Sequence, residues 1–214
     1  MSKPAPLRSD ARRNLELVLA AAERVFGKRG LSATLEEVAG DAGVGVGTIY
    51  RRFPSKEALL EAVFDRKIDA GIDLLAGFLK RSSGWNGLCE YLRTVIDQQA
   101  ADRGLHEFLY TTSMLSGGIA RLRERVEPLI TELVERAKAE GKLRADFRAT
   151  DVPVMIMMLS RLAHTDPVLG PALARRYLEL LLKGVGPTAD PVAIPIPPDD
   201  DTFAGWLAGQ ARPV

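Results

Sequence analysis

One cysteine, Cys89, stands among 214 residues, so no intramolecular disulfide forms and no thiolate-based metal site can be assembled. A buried core position is its expected place, since its only charged neighbour in sequence, Glu90, does not help form a thiolate. Histidine is nearly as scarce, with only His106 and His164. Two histidines without cysteine partners make no credible metal site, and both are expected at helix ends. A glycine-rich phosphate loop, a Gly-x-Ser-x-Gly elbow and a His-Glu-x-x-His pair are all missing, so no catalytic motif argues for an enzyme and no cofactor is implied. No apolar run approaches the roughly 20 residues that a bilayer span needs. The opening MSKPAPLRSDARR is charged and proline-containing, unlike a secretory leader. These absences leave a soluble cytoplasmic protein as the expectation.

What is present supports a folded chain. Hydrophobic residues make up 46%, enough for a substantial core. The net charge of +1 hides an asymmetry. Residues 1–56 carry ten Lys/Arg against six Asp/Glu, and residues 57–214 carry nineteen against twenty-two. A basic head for a polyanion and a more acidic body fit that division.

No strand-like alternation of apolar and polar residues appears, and the predicted fold is all-α. Residues 1–8, with two prolines, read as an unstructured arm whose Lys3 and Arg8 can reach phosphates. A first helix is predicted over Ser9–Arg29, with Leu15, Val18, Leu19, Ala22, Val25 and Phe26 as its buried stripe and Gly30 closing it. Thr34-Leu-Glu-Glu37 has the form of a capping box. It opens a second helix with Leu35, Val38, Ala39 and Ala42 inward, followed by a turn at Gly43 and a third helix over about Val46–Phe53. Helices of this length do not stand alone in water, so the first helix must clamp them. Three helices with a tight glycine turn between the last two describe a helix–turn–helix.

Pro54 ends the third helix and Ser55 caps a fourth, predicted to reach about Lys80, without any flexible linker between them. Further helices are predicted at about 85–101, 105–116, 119–140, 150–164 and 169–183, with a kink or fresh start near Val126 because of Pro128. From Gly184 the composition shifts, and six of the thirteen prolines fall in the last stretch. Residues 185–214 therefore read as a Pro-rich tail, with Phe203, Trp206 and Leu207 at helical spacing. The expected division is an arm and DNA-binding head over 1–54 and a larger helical body over 55–184.

The third helix has the chemistry of a major-groove reader. With Ile49 and Phe53 inward, its outward set is Val46, Gly47, Thr48, Tyr50, Arg51 and Arg52. Gly45 and Gly47 let the helix end approach DNA closely. Thr48 can bond a base edge or touch a thymine methyl, and Arg51 suits bidentate pairing with guanine. Tyr50, Arg52, Lys56 and the helix N-terminus at Thr34 suit phosphates.

The run RRNLELVLAAAERVFGKRGLSATLEEVAGDAGVGVGTIYRRFPSKEALLEAVF, residues 12–64, resembles the N-terminal domain of the TetR family of bacterial transcriptional regulators. The resemblance implies a three-helix head and a bundle of helices 4–9 that binds a ligand and dimerises. It places DNA contacts on Thr34, Gly45, Val46, Thr48, Tyr50, Arg51 and Lys56. Many members carry serine or lysine where this chain has Gly45 and Val46, so base reading leans on Thr48 and Arg51. The resemblance also implies a double-stranded operator as partner, a homodimer through about 150–183, and a small-molecule effector. Phe78, Trp85, Leu92, Tyr110, Met114, Met155, Met158 and Leu159 are candidates for the effector's pocket wall, methionines and aromatics suiting an adaptable apolar cavity. The expected function is a repressor released by ligand. A ligand-independent architectural DNA binder and an interaction module with a vestigial helix–turn–helix are the alternatives.

Overall fold

The structure, a computed structural model, describes residues 6–109 and 119–187, and every regular element among them is helical. Lys3, Tyr110, Met114 and the tail residues Phe203, Trp206 and Leu207 lie outside the described residues.

Helix α1 (Pro6–Arg29) begins three residues before the predicted Ser9. Pro6 takes the first helical position, where its missing N–H forfeits no intrahelical bond and its fixed φ suits the helix. The helix closes at Gly30, whose φ of 66° is left-handed, and a single 3-10 turn over Gly30–Ser32 leads into α2 (Leu35–Ala42). Both halves of the capping box are made: the Glu37 N–H donates to Thr34 Oγ1 at 3.3 Å, and the Thr34 N–H donates to Glu37 Oε2 at 2.9 Å. Gly43, with φ 68°, ends α2 and returns its N–H to carbonyls of that helix.

Helix α3 (Val46–Arg52) is seven residues long, too short to persist without tertiary support. Ile49 supplies it, being fully buried, and Phe53 is buried just beyond the last turn. Burying a side chain of that size contributes roughly 1.5–3 kcal/mol. Helix α4 (Lys56–Arg81) follows at once. The Ser55 hydroxyl accepts the Ala58 N–H at 3.2 Å. Glu57, in the first turn, has its carboxyl held below the ordinary carboxylate range by bonds from its own backbone N–H and the Ser55 side chain, as expected at the positive end of a helix.

The remaining described helices are α5 (Gly84–Ala101), α6 (Arg103–Leu109), α7 (Ile119–Ala139), α8 (Asp151–Ala163) and α9 (Leu169–Gly184). Helix α7 runs through Pro128 without a fresh start. Pro128 sits on the exposed side, where water can satisfy the carbonyl that the proline ring leaves unbonded.

These helices form two compact units. One contains the chain up to Lys67 together with Ala101–Phe108; the other contains Ile68–Ala100 and the described residues from Leu109 onward. In the first, Val18, Ala21, Ala22 and Phe26 of α1 are buried together with Val38, Ile49, Leu59 and Phe64. In the second, Leu75, Leu88, Leu92, Ile96, Leu133 and Leu178 are the innermost side chains. Cys89 is buried there, and burial pushes its thiol up to about 11. No described helix is long and apolar enough to cross a membrane.

Helix α8 is buried on one side in the single chain. Met155 and Leu159 are buried, yet Met158 is 49% exposed. Its neighbour α9, which packs against it, likewise exposes Leu169, Leu173, Tyr177 and Leu180.

Candidate nucleic-acid interface

The candidate reading surface is built by the burial of one side of α3. With Ile49 inside, the helical period turns Tyr50, Arg51 and Arg52 outward, and all three are exposed. Val46 and Thr48 are half-buried at the helix start. A side chain at Gly45 or Gly47 would meet nothing within 4 Å. These glycines therefore answer no packing need inside the chain, and what they leave open is the approach to the helix end. The Arg51 guanidinium donates to Thr48 Oγ1 at 3.1 Å, one turn away. That bond aligns the arginine along the outward face while leaving most of its donors unused.

Thr34, exposed at the start of α2, uses its oxygen to accept the Glu37 N–H and keeps its hydroxyl proton for another acceptor. Two ion pairs fasten α2 to α1: Arg24 with Asp41, and Arg29 with Glu37. Both are largely exposed and contribute no more than about 1 kcal/mol each. Their value lies in fixing the angle between the two helices.

Lys56 has a different setting from the one its sequence position suggests. Its ammonium donates to the Leu31 carbonyl and lies 6.0 Å from the centre of the Phe26 ring. The ammonium lies next to the C-terminal end of α1, where the helix dipole favours a cation.

Sequence reasoning did not find the contribution of α6. Asp102 caps it by accepting the Leu105 N–H at 2.8 Å, and its other oxygen pairs with Lys67 of α4. Gly104 lies so close to α1 that a Cβ there would stand 2.5 Å from the Phe26 carbonyl oxygen. The rings of Phe64 and Phe108 have centroids 5.3 Å apart. Glu107 accepts the Leu31 N–H at 2.6 Å. Apart from the Asp102 cap, each of these contacts joins residues more than thirty positions apart, and no local pattern marks them.

The pocket candidates belong to the second unit. Phe78, Leu92, Met155 and Leu159 are buried and Trp85 is half-buried, whereas Met158 faces outward.

Comparison with known proteins gives this geometry its context. Residues 18–63 match the family model for bacterial regulatory proteins of the TetR family, and residues 85–187 match the C-terminal domain of SbtR-like transcriptional regulators. An HTH-type transcriptional regulator of Staphylococcus aureus is 27% identical over 148 residues, which cover 66% of this chain and 76% of that protein. A TetR transcriptional regulator from Streptomyces coelicolor is 34% identical in sequence. Its structure superimposes with a TM-score of 0.63, covering 81% of this chain and 99% of that one. The transcriptional regulator FadR from Bacillus subtilis, solved in complex with stearoyl-CoA, shares the fold at 20% identity, with a TM-score of 0.55 over 80% of this chain and 99% of its own. The helix–turn–helix of α2 and α3 thus lies within the matched family domain, and the chain belongs to the TetR family of DNA-binding transcriptional regulators.

Proposed function

We propose that the protein is a homodimeric repressor that acts in the cytoplasm on a near-palindromic operator and leaves it when a small molecule binds the body. The single observation that carries the DNA-reading part is the polarity of α3: Ile49 is fully buried while Tyr50, Arg51 and Arg52 project outward. In this reading Thr48 and Arg51 contact base edges in the major groove. Tyr50, Arg52 and Thr34 contact phosphates, and Gly45 and Gly47 let the helix end come close. Residues 1–54 are the reading region, 55–184 bind effector and partner, and 185–214 are an appended tail.

Dimerisation rests on the apolar face of α8 and α9. Leu169, Leu173, Tyr177 and Leu180 recur at helical spacing on α9, and Met158 adds to the same class of exposed side chains on α8. Apolar groups gathered this way mark an association surface. A two-fold dimer sets two recognition helices roughly 34–36 Å apart, one DNA turn.

The effector site is assigned to the second unit, around Phe78, Trp85, Leu92, Met155 and Leu159. That a regulator of this fold holds stearoyl-CoA supports an apolar ligand chamber in the body. Helix α4 gives such a ligand its lever, because its residues up to Lys67 belong to the head and those from Ile68 onward to the body. The ligand releases DNA only by binding the released geometry better than the bound one.

The test is a mobility-shift titration of the full-length protein on duplexes from the region upstream of its own gene and its neighbours. Retardation of one duplex at a concentration that leaves the others unshifted, reversed by a metabolite from a small-molecule screen, is expected. Equal retardation of every duplex contradicts operator reading, and a specific complex that no compound weakens contradicts release by ligand.

A further inference from the structure

The backbone of Leu31, three residues before the N-cap of α2, is held at both its N–H and its carbonyl. Its N–H donates to Glu107 Oε2 at 2.6 Å, and its carbonyl accepts the Lys56 ammonium. Glu107 comes from α6, and Lys56 is the first residue of α4. Gly30 makes room for this arrangement. Its left-handed backbone places the position of an absent Cβ inside the Glu107 carboxylate, so any side chain at 30 would displace that group. The second carboxylate oxygen takes the Arg103 Nε–H at 2.5 Å, one turn earlier on α6. Burial alone would raise the Glu107 carboxyl, yet the Leu31 N–H and the Arg103 guanidinium hold it below its ordinary value, so it stays ionised at neutral pH. Two helices, α4 and α6, therefore converge on the backbone of one residue at the entrance to the helix–turn–helix.

We propose that Glu107 and Lys56 are positioning residues for DNA binding, which clamp the backbone of Leu31 and thereby fix where α2 starts and how α3 is presented. Lys56 serves in this clamp and not as a phosphate contact. The inference deepens the reading of α3 as the DNA reader and rests on it. The chain from Leu31 to Thr34 is short, so a displacement of Leu31 passes directly to Thr34 and the capping box. An altered angle at α2 tilts α3, because the two pack together and are joined by the short Gly43–Gly45 turn. Glu107 is itself anionic, and a bystander anion near the DNA-binding head opposes binding. The clamp gives it the opposite sign, which makes the proposal separable from simple electrostatics.

The experiment uses the full chain and two probes: a duplex enriched from a random library by the wild-type protein, and a scrambled duplex of the same length. Enrichment by the wild type, lost in Arg51→Ala, tests the underlying reading on its own. The clamp predicts that Glu107→Ala weakens the enriched duplex roughly tenfold, although the substitution removes a negative charge, and does not weaken the scrambled one. Glu107→Gln, which retains an acceptor oxygen for the Leu31 N–H, restores most of the affinity. Lys56→Met weakens the enriched duplex with an unchanged slope of log K against log salt, whereas losing a phosphate contact lowers that slope by about 0.9. Arg103 is 61% exposed at its side chain, and Arg103→Met keeps the proposal testable should Glu107→Ala not fold: unanchoring Glu107 lowers specific affinity. Enrichment that survives while Glu107→Ala or Arg103→Met binds as well as or better than wild type overturns the clamp, as does a reduced salt slope in Lys56→Met.

Discussion

The Arg51 guanidinium donates to the Thr48 hydroxyl at 3.1 Å, across one turn of α3. A long cationic side chain is thereby held along the exposed face of α3, which reduces the rotamer freedom it would lose on binding DNA there. The two residues chosen from sequence as base readers are thus one structural unit. Arg51→Ala is expected to lose about 1–3 kcal/mol on a specific duplex and much less on a scrambled one. Thr48→Val, which keeps the shape and removes the acceptor, loses a smaller amount in the same direction. Fluorescence anisotropy on both duplexes checks this; equal losses on the two reduce Arg51 to a phosphate contact.

The capping box at Thr34 and Glu37 holds a helix of only eight residues. Thr34→Ala is expected to lower stability by about 1 kcal/mol, and Thr34→Ser by a few tenths at most. The measurement is the urea midpoint of the full chain followed by circular dichroism. An unchanged midpoint in Thr34→Ala shows that α2 is held by packing of Leu35 and Val38 alone.

Leu169, Leu173, Tyr177 and Leu180 recur along α9 and are exposed in the single chain. Placing charge on this stripe, in Leu173→Glu with Leu180→Glu, is expected to halve the mass in sedimentation equilibrium while the helical signal persists. Operator affinity then falls by more than tenfold, because each head binds without its partner. A wild-type chain that sediments as a monomer at micromolar concentration contradicts the assignment of this face.

Cys89 and Tyr91 give the body a defined alkaline limit. Burial pushes the thiol up to about 11 from 9.0 and the phenol up to about 12 from 10.0. Both folded values are raised, so folding favours the protonated forms. Their stabilising contribution is complete below pH 9. It is lost as pH rises toward 11 for Cys89 and toward 12 for Tyr91. The urea midpoint is therefore expected to fall between pH 9 and 11, less steeply in Cys89→Ala. At pH 8 a thiol reagent should label Cys89 far more slowly than in the unfolded chain, and equally fast labelling contradicts its burial.

Much of the head is legible in the sequence because its signals are local. Thr34 and Glu37, Gly43, Pro54 and Ser55 each act on neighbours within four residues, and the helix boundaries they set agree with the structure. The start of α1 is missed because Pro6, usually a helix breaker, is acceptable in a first turn. Pro128 stays within α7 because it faces solvent, which the sequence pattern alone does not reveal. Long-range placements are harder still. The bond from Lys56 to the Leu31 carbonyl, 25 positions away, has no mark in the neighbouring sequence. Nothing near Asp102, Gly104 or Glu107 in sequence shows that α6 packs with Phe26, Lys67 and Leu31. Met158 is indistinguishable in sequence from Met155, and only the packing of α8 separates the exposed one from the buried one.

The most direct test of the account is selection of duplexes from a random library by the full-length protein, repeated with Arg51→Ala. The account predicts that the wild type enriches a two-fold symmetric site with half-sites about one helical turn, or a multiple of it, apart, and that Arg51→Ala relaxes one position in each half-site. No enrichment, or an enriched site identical in both proteins, contradicts the claim that the outward face of α3 reads the operator.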